Sequence, residues 1–213
     1  MTPPIAKWTV GDFNRKAAEG PAPAGVAVAA VSASFALSLL MMTLENAAKK
    51  NADPLARERT ARLLAAAESW SARMMKYADE DIAAFDEYLK SLRLPKNQPE
   101  ERQRAIDAAL RHATEIPLAI ARLALSGLDL CAEAADLAHR NVLADLGAAA
   151  ALLQAAVRAV LGSAESNLAR MTAESRARHP AADRRELRTR ADSRAEYVLE
   201  FCAKKLPPQG DSI

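Results

Sequence analysis

Four polar side chains fall where helical spacing supplies apolar neighbours, and their types suit acid–base chemistry: Asp81, Asn141, Asp145 and Asn167. Asp81 stands one turn after Tyr77 and one turn before Phe85, so its carboxylate flanks an apolar stripe and should not be freely solvated. Asn141 and Asp145 share one helix face, and Asn167 lies late in the same helical stretch. Burying such groups unpaired costs several kcal/mol, so each needs a partner in the protein or in a ligand. A carboxyl can give or take a proton, and an amide can hold a carbonyl or N–H edge. Taken singly, Asp81 fits a helix-packing hydrogen bond as well as a functional role, and Asn141 fits a helix N-cap.

Other chemistries find little support. The three histidines, His112, His139 and His179, share no ligand spacing and adjoin Arg or Pro, which places them at the surface. Cys131 and Cys202 form no CxxC pair and suit a reduced, cytoplasmic protein; no metal and no tightly bound cofactor is expected. GxxxxGK[ST] and GxGxxG loops are absent, which disfavours P-loop phosphoryl transfer and Rossmann redox chemistry. The balance of 29 basic and 27 acidic residues leaves a net charge of +2 and implies no polyanion partner. The basic stretch from Arg176 to Arg194 is interleaved with Asp183, Glu186 and Asp192, the pattern of a solvated helix face, so no nucleic-acid partner is expected.

The elements that must position these residues are helices. Half of the 213 residues are hydrophobic while 4% are aromatic, and Ala, Leu, Arg, Glu and Lys head the helix scale. From Gly25 to Leu44 there is no charged residue. That length approaches the roughly 20 apolar residues of a membrane span. Its Ala content, the serines Ser32, Ser34 and Ser38, and the lack of aromatic and Lys/Arg flanks favour instead a central helix enclosed on all sides, over residues 25–48, and no membrane partner. No signal-peptide pattern precedes it, again pointing to the cytoplasm. Asn51 to Pro54 reads as a restart, with Asp53 as N-cap and Pro54 at the first helical position. Leu64, Ala67, Ser71, Met74, Ala78, Ile82, Phe85, Leu89 and Leu92 then step by threes and fours. Further helices are predicted over 100–114, 118–139 with a kink or joint at Pro117, 142–171, and from Pro180 to Lys205. The fold class is all-α, one helical bundle over residues 1–206 with a disordered tail at 207–213. Apolar stripes too extensive for one copy to cover predict a homodimer.

Taken in order, TVGDF at Thr9, the PAPAG turn before the Ala-rich helix, DIAAF at Asp81, LPKN at Leu94, Pro117, and NVLAD at Asn141 with Asn167 downstream carry a further reading. Together they resemble the formiminotetrahydrofolate cyclodeaminase and methenyltetrahydrofolate cyclohydrolase family over nearly the whole chain. The resemblance implies an all-helical bundle, usually dimeric, that binds the pterin end of a one-carbon tetrahydrofolate without metal or nicotinamide. It implies catalytic roles for Asp81 and Asp145 and ligand contacts from Gly25, Asn141 and Asn167. It places Lys49, near a Lys-rich segment of the family, toward the acidic tail of folate.

DIAAF and LPKN bring the chain closer to the cyclohydrolases, so the reaction expected is hydrolysis of 5,10-methenyltetrahydrofolate to 10-formyltetrahydrofolate. The alternatives are a non-catalytic descendant that binds another ligand or a protein partner, and a formiminotetrahydrofolate cyclodeaminase. The turn departs from the family's Pro-x-Pro-Gly-Gly-Gly-Ser: Ala24, Gly25, Val26 and Ala27 follow Pro23, and Cβ atoms at Ala24 and Val26 narrow the approach to the backbone. The four polar residues are expected to converge on one cleft near the N-terminus of the 25–48 helix.

Overall fold

Residues 3–50 and 52–205 are described by a computed structural model of the chain. Its helices begin where a side chain or a proline deals with the unpaired amides of the first turn. Thr9 caps α1 (Val10–Glu19), its hydroxyl oxygen accepting the Asp12 N–H at 3.0 Å while Asp12 accepts the Thr9 hydroxyl at 2.7 Å. Gly20 closes that helix at φ 58°, a left-handed conformation that favours glycine. The Pro-rich turn leads into α2 (Gly25–Lys50). Asp53 accepts the amides of Leu55 and Ala56 and starts α3 (Pro54–Leu92), whose 39 residues extend about 58 Å. Pro99, with Glu100 and Glu101 at the positive helix end, opens α4 (Pro99–Ala134). A 3-10 turn at Arg140–Val142 precedes α5 (Leu143–Ala169); a short α6 (Ala173–Ala177), capped by Thr172, joins it to α7 (Ala181–Lys205).

Four sequence readings need correction. Of the kink or joint expected at Pro117, the joint is excluded: α4 runs through Pro117 and stops at Ala134 instead of 139. Helix α6 is an element that the sequence pattern does not predict. Asn141 is not the N-cap; it lies inside the 3-10 turn, and His139 Nδ1 accepts its backbone N–H at 3.3 Å. His179 is also no surface residue, with a side chain 9% exposed beside Glu115. The restart residue Asn51 and the tail at 207–213 lie outside the described residues.

Cross-helix bonds fix the topology. Ser34 bonds Ser71 at 2.9 Å, Arg62 pairs with Glu133 at 2.8 Å, and Glu165 pairs with Arg184 at 2.7 Å. These and Asn167 to Ala113 make α2, α3, α4 and α5 an up-and-down bundle, with α7 antiparallel to α5 and beside α4. The N-terminal segment is pinned to α3 by the Ile5 N–H, donated to Asp79 at 2.9 Å. At mid-height α4 sinks into the groove between α2 and α5. A Cβ on Gly127 would meet Leu153 at 3.1 Å and Leu37 at 3.3 Å, so only glycine gives this spacing without displacement. Leu37, Leu40, Leu44, Leu128, Leu146 and Leu153 are fully buried around it.

The expectation that α2 is enclosed on all sides is corrected as well. Val28 is 38%, Phe35 52% and Met42 42% exposed, at seven-residue spacing along one edge. By length and composition α2 and Arg140–Ala169 are each apolar enough to cross a membrane, yet 56% and 50% of their most apolar windows are buried in the bundle. The outward halves are apolar as well.

Candidate active site

The N-terminus of α2 has no capping side chain of its own, because the turn supplies Ala24 where a Ser, Thr or Asp would serve. The cap comes from α3: Asp81 accepts the backbone N–H of Ala27, one of the amides that the first turn leaves unpaired. Around this contact lies a cavity of about 210 Å³. The turn contributes Ala22, Ala24, Gly25 and Val26; α3 contributes Asp81, Phe85 and Tyr88; Leu110 and Ala113 come from α4, and Ser163, Ser166, Asn167 and Arg170 from α5. Burial pushes the Asp81 carboxyl up to about 6, against the downward pull of the Ala27 amide. Near neutral pH it therefore exchanges a proton readily, which an ordinary carboxylate does not.

Asn167 reaches the cavity because of a proline. Pro117 has no N–H, so the carbonyl of Ala113, four residues earlier in α4, loses its helical donor. Asn167 Nδ2 donates to that carbonyl at 2.9 Å. An acceptor at this position fixes the amide orientation and leaves Oδ1 to accept from a ligand. The segment after Asn167 is tied down by buried Asp107 on α4. That carboxylate accepts the Thr172 hydroxyl at 2.7 Å, the Thr172 N–H at 3.3 Å and the Ser175 hydroxyl at 3.2 Å. Burial pushes Asp107 up, and these bonds outweigh it and hold it below the usual carboxylate range. Sequence reading singled out neither Asp107 nor Ser166, Arg170 and Tyr88. The spacing of Ser163, Ser166, Asn167 and Arg170 along one helix face was the available signal.

Gly25, Asp81 and Asn167 thus share a cavity, while Asn141, Asp145 and Lys49 do not line it. Asp145 sits half-buried in the first turn of α5, and Asn167 is six turns on, about 33 Å away along the axis. Asn141 is exposed just before that helix. Lys49 is exposed at the last turn of α2, where it lines an open depression with Glu45, Arg57 and Leu64. Because α2 and α5 are antiparallel, these three residues gather at the end of the bundle opposite the cavity. Among the described residues no group of three or more His, Cys, Asp or Glu is placed to hold a metal ion.

The sequence and the all-helical bundle match known proteins. The formiminotransferase-cyclodeaminase family profile covers residues 9–186, and the chain belongs to that family. It is 34% identical to formimidoyltransferase-cyclodeaminase of Sus scrofa over 153 residues, which is 68% of this chain but 26% of that protein. The mouse protein of the same name is 33% identical over 67% of the chain, again covering 26% of the relative. The chain thus spans about a quarter of the length of these curated relatives. Methenyltetrahydrofolate cyclohydrolase of Methylorubrum extorquens is 29% identical over 67% of this chain and 70% of its own. The fold is that of formiminotetrahydrofolate cyclodeaminase from Thermotoga maritima, with a TM-score of 0.79 and 20% identity over 95% of this chain and 97% of that one.

Proposed function

We propose that the chain closes the formimino group of 5-formiminotetrahydrofolate onto N10, releasing ammonia and leaving 5,10-methenyltetrahydrofolate. Asp81 carries this reading, as a carboxyl held near 6 in a small cavity walled by Phe85 and Tyr88. N10 attacks the formimino carbon, the new C–N10 bond forms, and the tetrahedral carbon then bears two ring nitrogens and one amino group. Ammonia leaves only if the amino nitrogen gains a proton while N10 loses one. Asp81 relays that proton, accepting from N10 and donating to the departing amine, a role that contributes about 10²–10⁴-fold. The product cation is delocalised over N5, carbon and N10. Asn167 Oδ1 accepts from a pterin N–H, and Gly25 and Val26 form the wall of the cavity beside the ring. The relatives that bear the cyclodeaminase name weigh toward this reaction over hydrolysis.

Hydrolysis of the methenyl compound is the second reading, favoured by the Methylorubrum extorquens relative, most of whose length the chain covers. There the same carboxyl, deprotonated, takes a proton from water as it adds to the bridging carbon. The purified protein separates the two: methenyl absorbance rising from the formimino compound with stoichiometric ammonia marks cyclodeamination, and accelerated loss of methenyl absorbance marks hydrolysis. If both stay at buffer rates while tetrahydrofolate binds, the chain is a binding protein.

A further inference from the structure

Among the described residues α1 is the one helix with no buried side chain. Its polar side-chain bonds stay within its own turns: Asp12 with Thr9, and Arg15 with Asp12 at 3.0 Å and Glu19 at 3.3 Å. Its hold on the body is apolar. Trp8 and Phe13, with ring centroids 6.4 Å apart, rest half-buried against the core. Beneath them lies an apolar space of about 160 Å³, roofed by Trp8, Val10 and Phe13 and floored by Val31 and Phe35 of α2 and Met75 of α3. A void of about 150 Å³ is large enough for a benzene ring. The one polar side chain that reaches this space is Thr9, whose hydroxyl is taken up by Asp12. Roof and floor therefore forgo the dispersion contact that closer packing would give.

Both ends of α1 lead to the walls of the Asp81 cavity. On the N-terminal side Ile5, 4% exposed, is held by its N–H on Asp79, two residues before Asp81 in α3. On the C-terminal side Gly20, at φ 58°, turns the chain toward Ala22, which lines that cavity, and buried Pro23 fixes the chain beyond it. Between these two fixed points Pro21 and Ala22 make no hydrogen bond among the described residues.

We propose that α1 is a strap that closes onto the α2–α3 groove when the Asp81 cavity is filled. Pivoting near Ile5 lowers Val10 and Phe13 into the space beneath, and the far end of the helix, about 15 Å on, moves the most. That end carries Ala22. A ligand resting on Ala22 gives the turn one position and α1 with it, and the closed strap in return holds Ala22 on the ligand. Closure and binding therefore favour each other by the same factor. With the cavity empty, α1 has few buried contacts to lose and opens at the low end of local stability. The identity of the ligand rests on the folate reading; the strap itself does not.

The test uses the full chain with Trp70→Phe, which leaves Trp8 as its single tryptophan. Without ligand, amides 14–19 should exchange at least about tenfold faster than those in the middle of α2, and acrylamide should quench Trp8 readily. Saturating tetrahydrofolate should slow that exchange at least about fivefold and shield Trp8. Phe13→Ala removes the strap's apolar contact without touching the cavity wall. It should keep the helical ellipticity and bind tetrahydrofolate at least about fivefold more weakly. An α1 as protected as α2 before ligand is added, or equal affinity in Phe13→Ala, overturns the proposal. Should the wild type bind no tetrahydrofolate, the functional reading fails by itself and the strap is decided by filling the cavity covalently. Ser163→Cys, on the cavity wall, is labelled with N-benzylmaleimide, Cys131 and Cys202 being buried. Labelling should slow exchange in α1 and shield Trp8, and labelled protein that behaves like unlabelled protein overturns the proposal.

Discussion

Replacing Asp81 by Asn should make the protein more stable and less active, with a stability gain that depends on pH in a stated direction. The folded carboxyl titrates at about 6 against an ordinary value of 3.8. Between these values the folded state keeps a proton that the unfolded chain has already released, so wild-type stability falls as pH rises through this window. Above pH 7 the loss is complete. A displacement of about 2 units corresponds to about 3 kcal/mol, an upper bound because the cavity is open to water at one side. Asn is neutral throughout and its Oδ1 can still accept the Ala27 N–H, so the cap on α2 persists. Urea unfolding followed by helical ellipticity at pH 4, 5, 6 and 7.5 should show the two proteins nearly equal at pH 4. The Asn variant should lead by up to about 3 kcal/mol at pH 7.5, with turnover at pH 7 down by about 10²-fold or more. A stability difference that stays constant with pH would refute the burial of this carboxyl in the cavity, whatever happened to the activity.

Asn167→Ala strands the Ala113 carbonyl and should cost about 1–3 kcal/mol, yet in a Pro117→Ala background, where residue 117 regains its N–H, the same change should cost much less; equal costs would break the link. Asp107→Ala removes the acceptor for Thr172 and Ser175 and should lower stability by about 2–3 kcal/mol in urea titrations, with hydrogen exchange rising first in α6; protection that is unchanged there would count against its anchoring role. Cys131, fully buried with its thiol pushed up to about 12, should not react with Ellman's reagent at pH 8 until urea unfolds the bundle.

The helices were legible because their ends are written in local chemistry. Asp53 and Pro54 start α3 as the sequence predicts, and Pro99 with its two glutamates starts α4. Pro117 misled because its effect is not local: whether a helix breaks at a proline depends on whether something else can satisfy the carbonyl one turn back. Here that donor is Asn167, 54 residues away, on a helix whose position the sequence does not report. The enclosure of α2 was overread for a similar reason. Lack of charge shows that a helix face avoids water, but it cannot separate a face covered by the same chain from one that stays open, as at Phe35.

The division of the polar residues, by contrast, follows from the helix alone. The sequence puts Asp145 and Asn167 on a single uninterrupted helix, and a rise of 1.5 Å per residue sets them about 33 Å apart however that helix is packed. No cavity within one copy of this bundle can hold both.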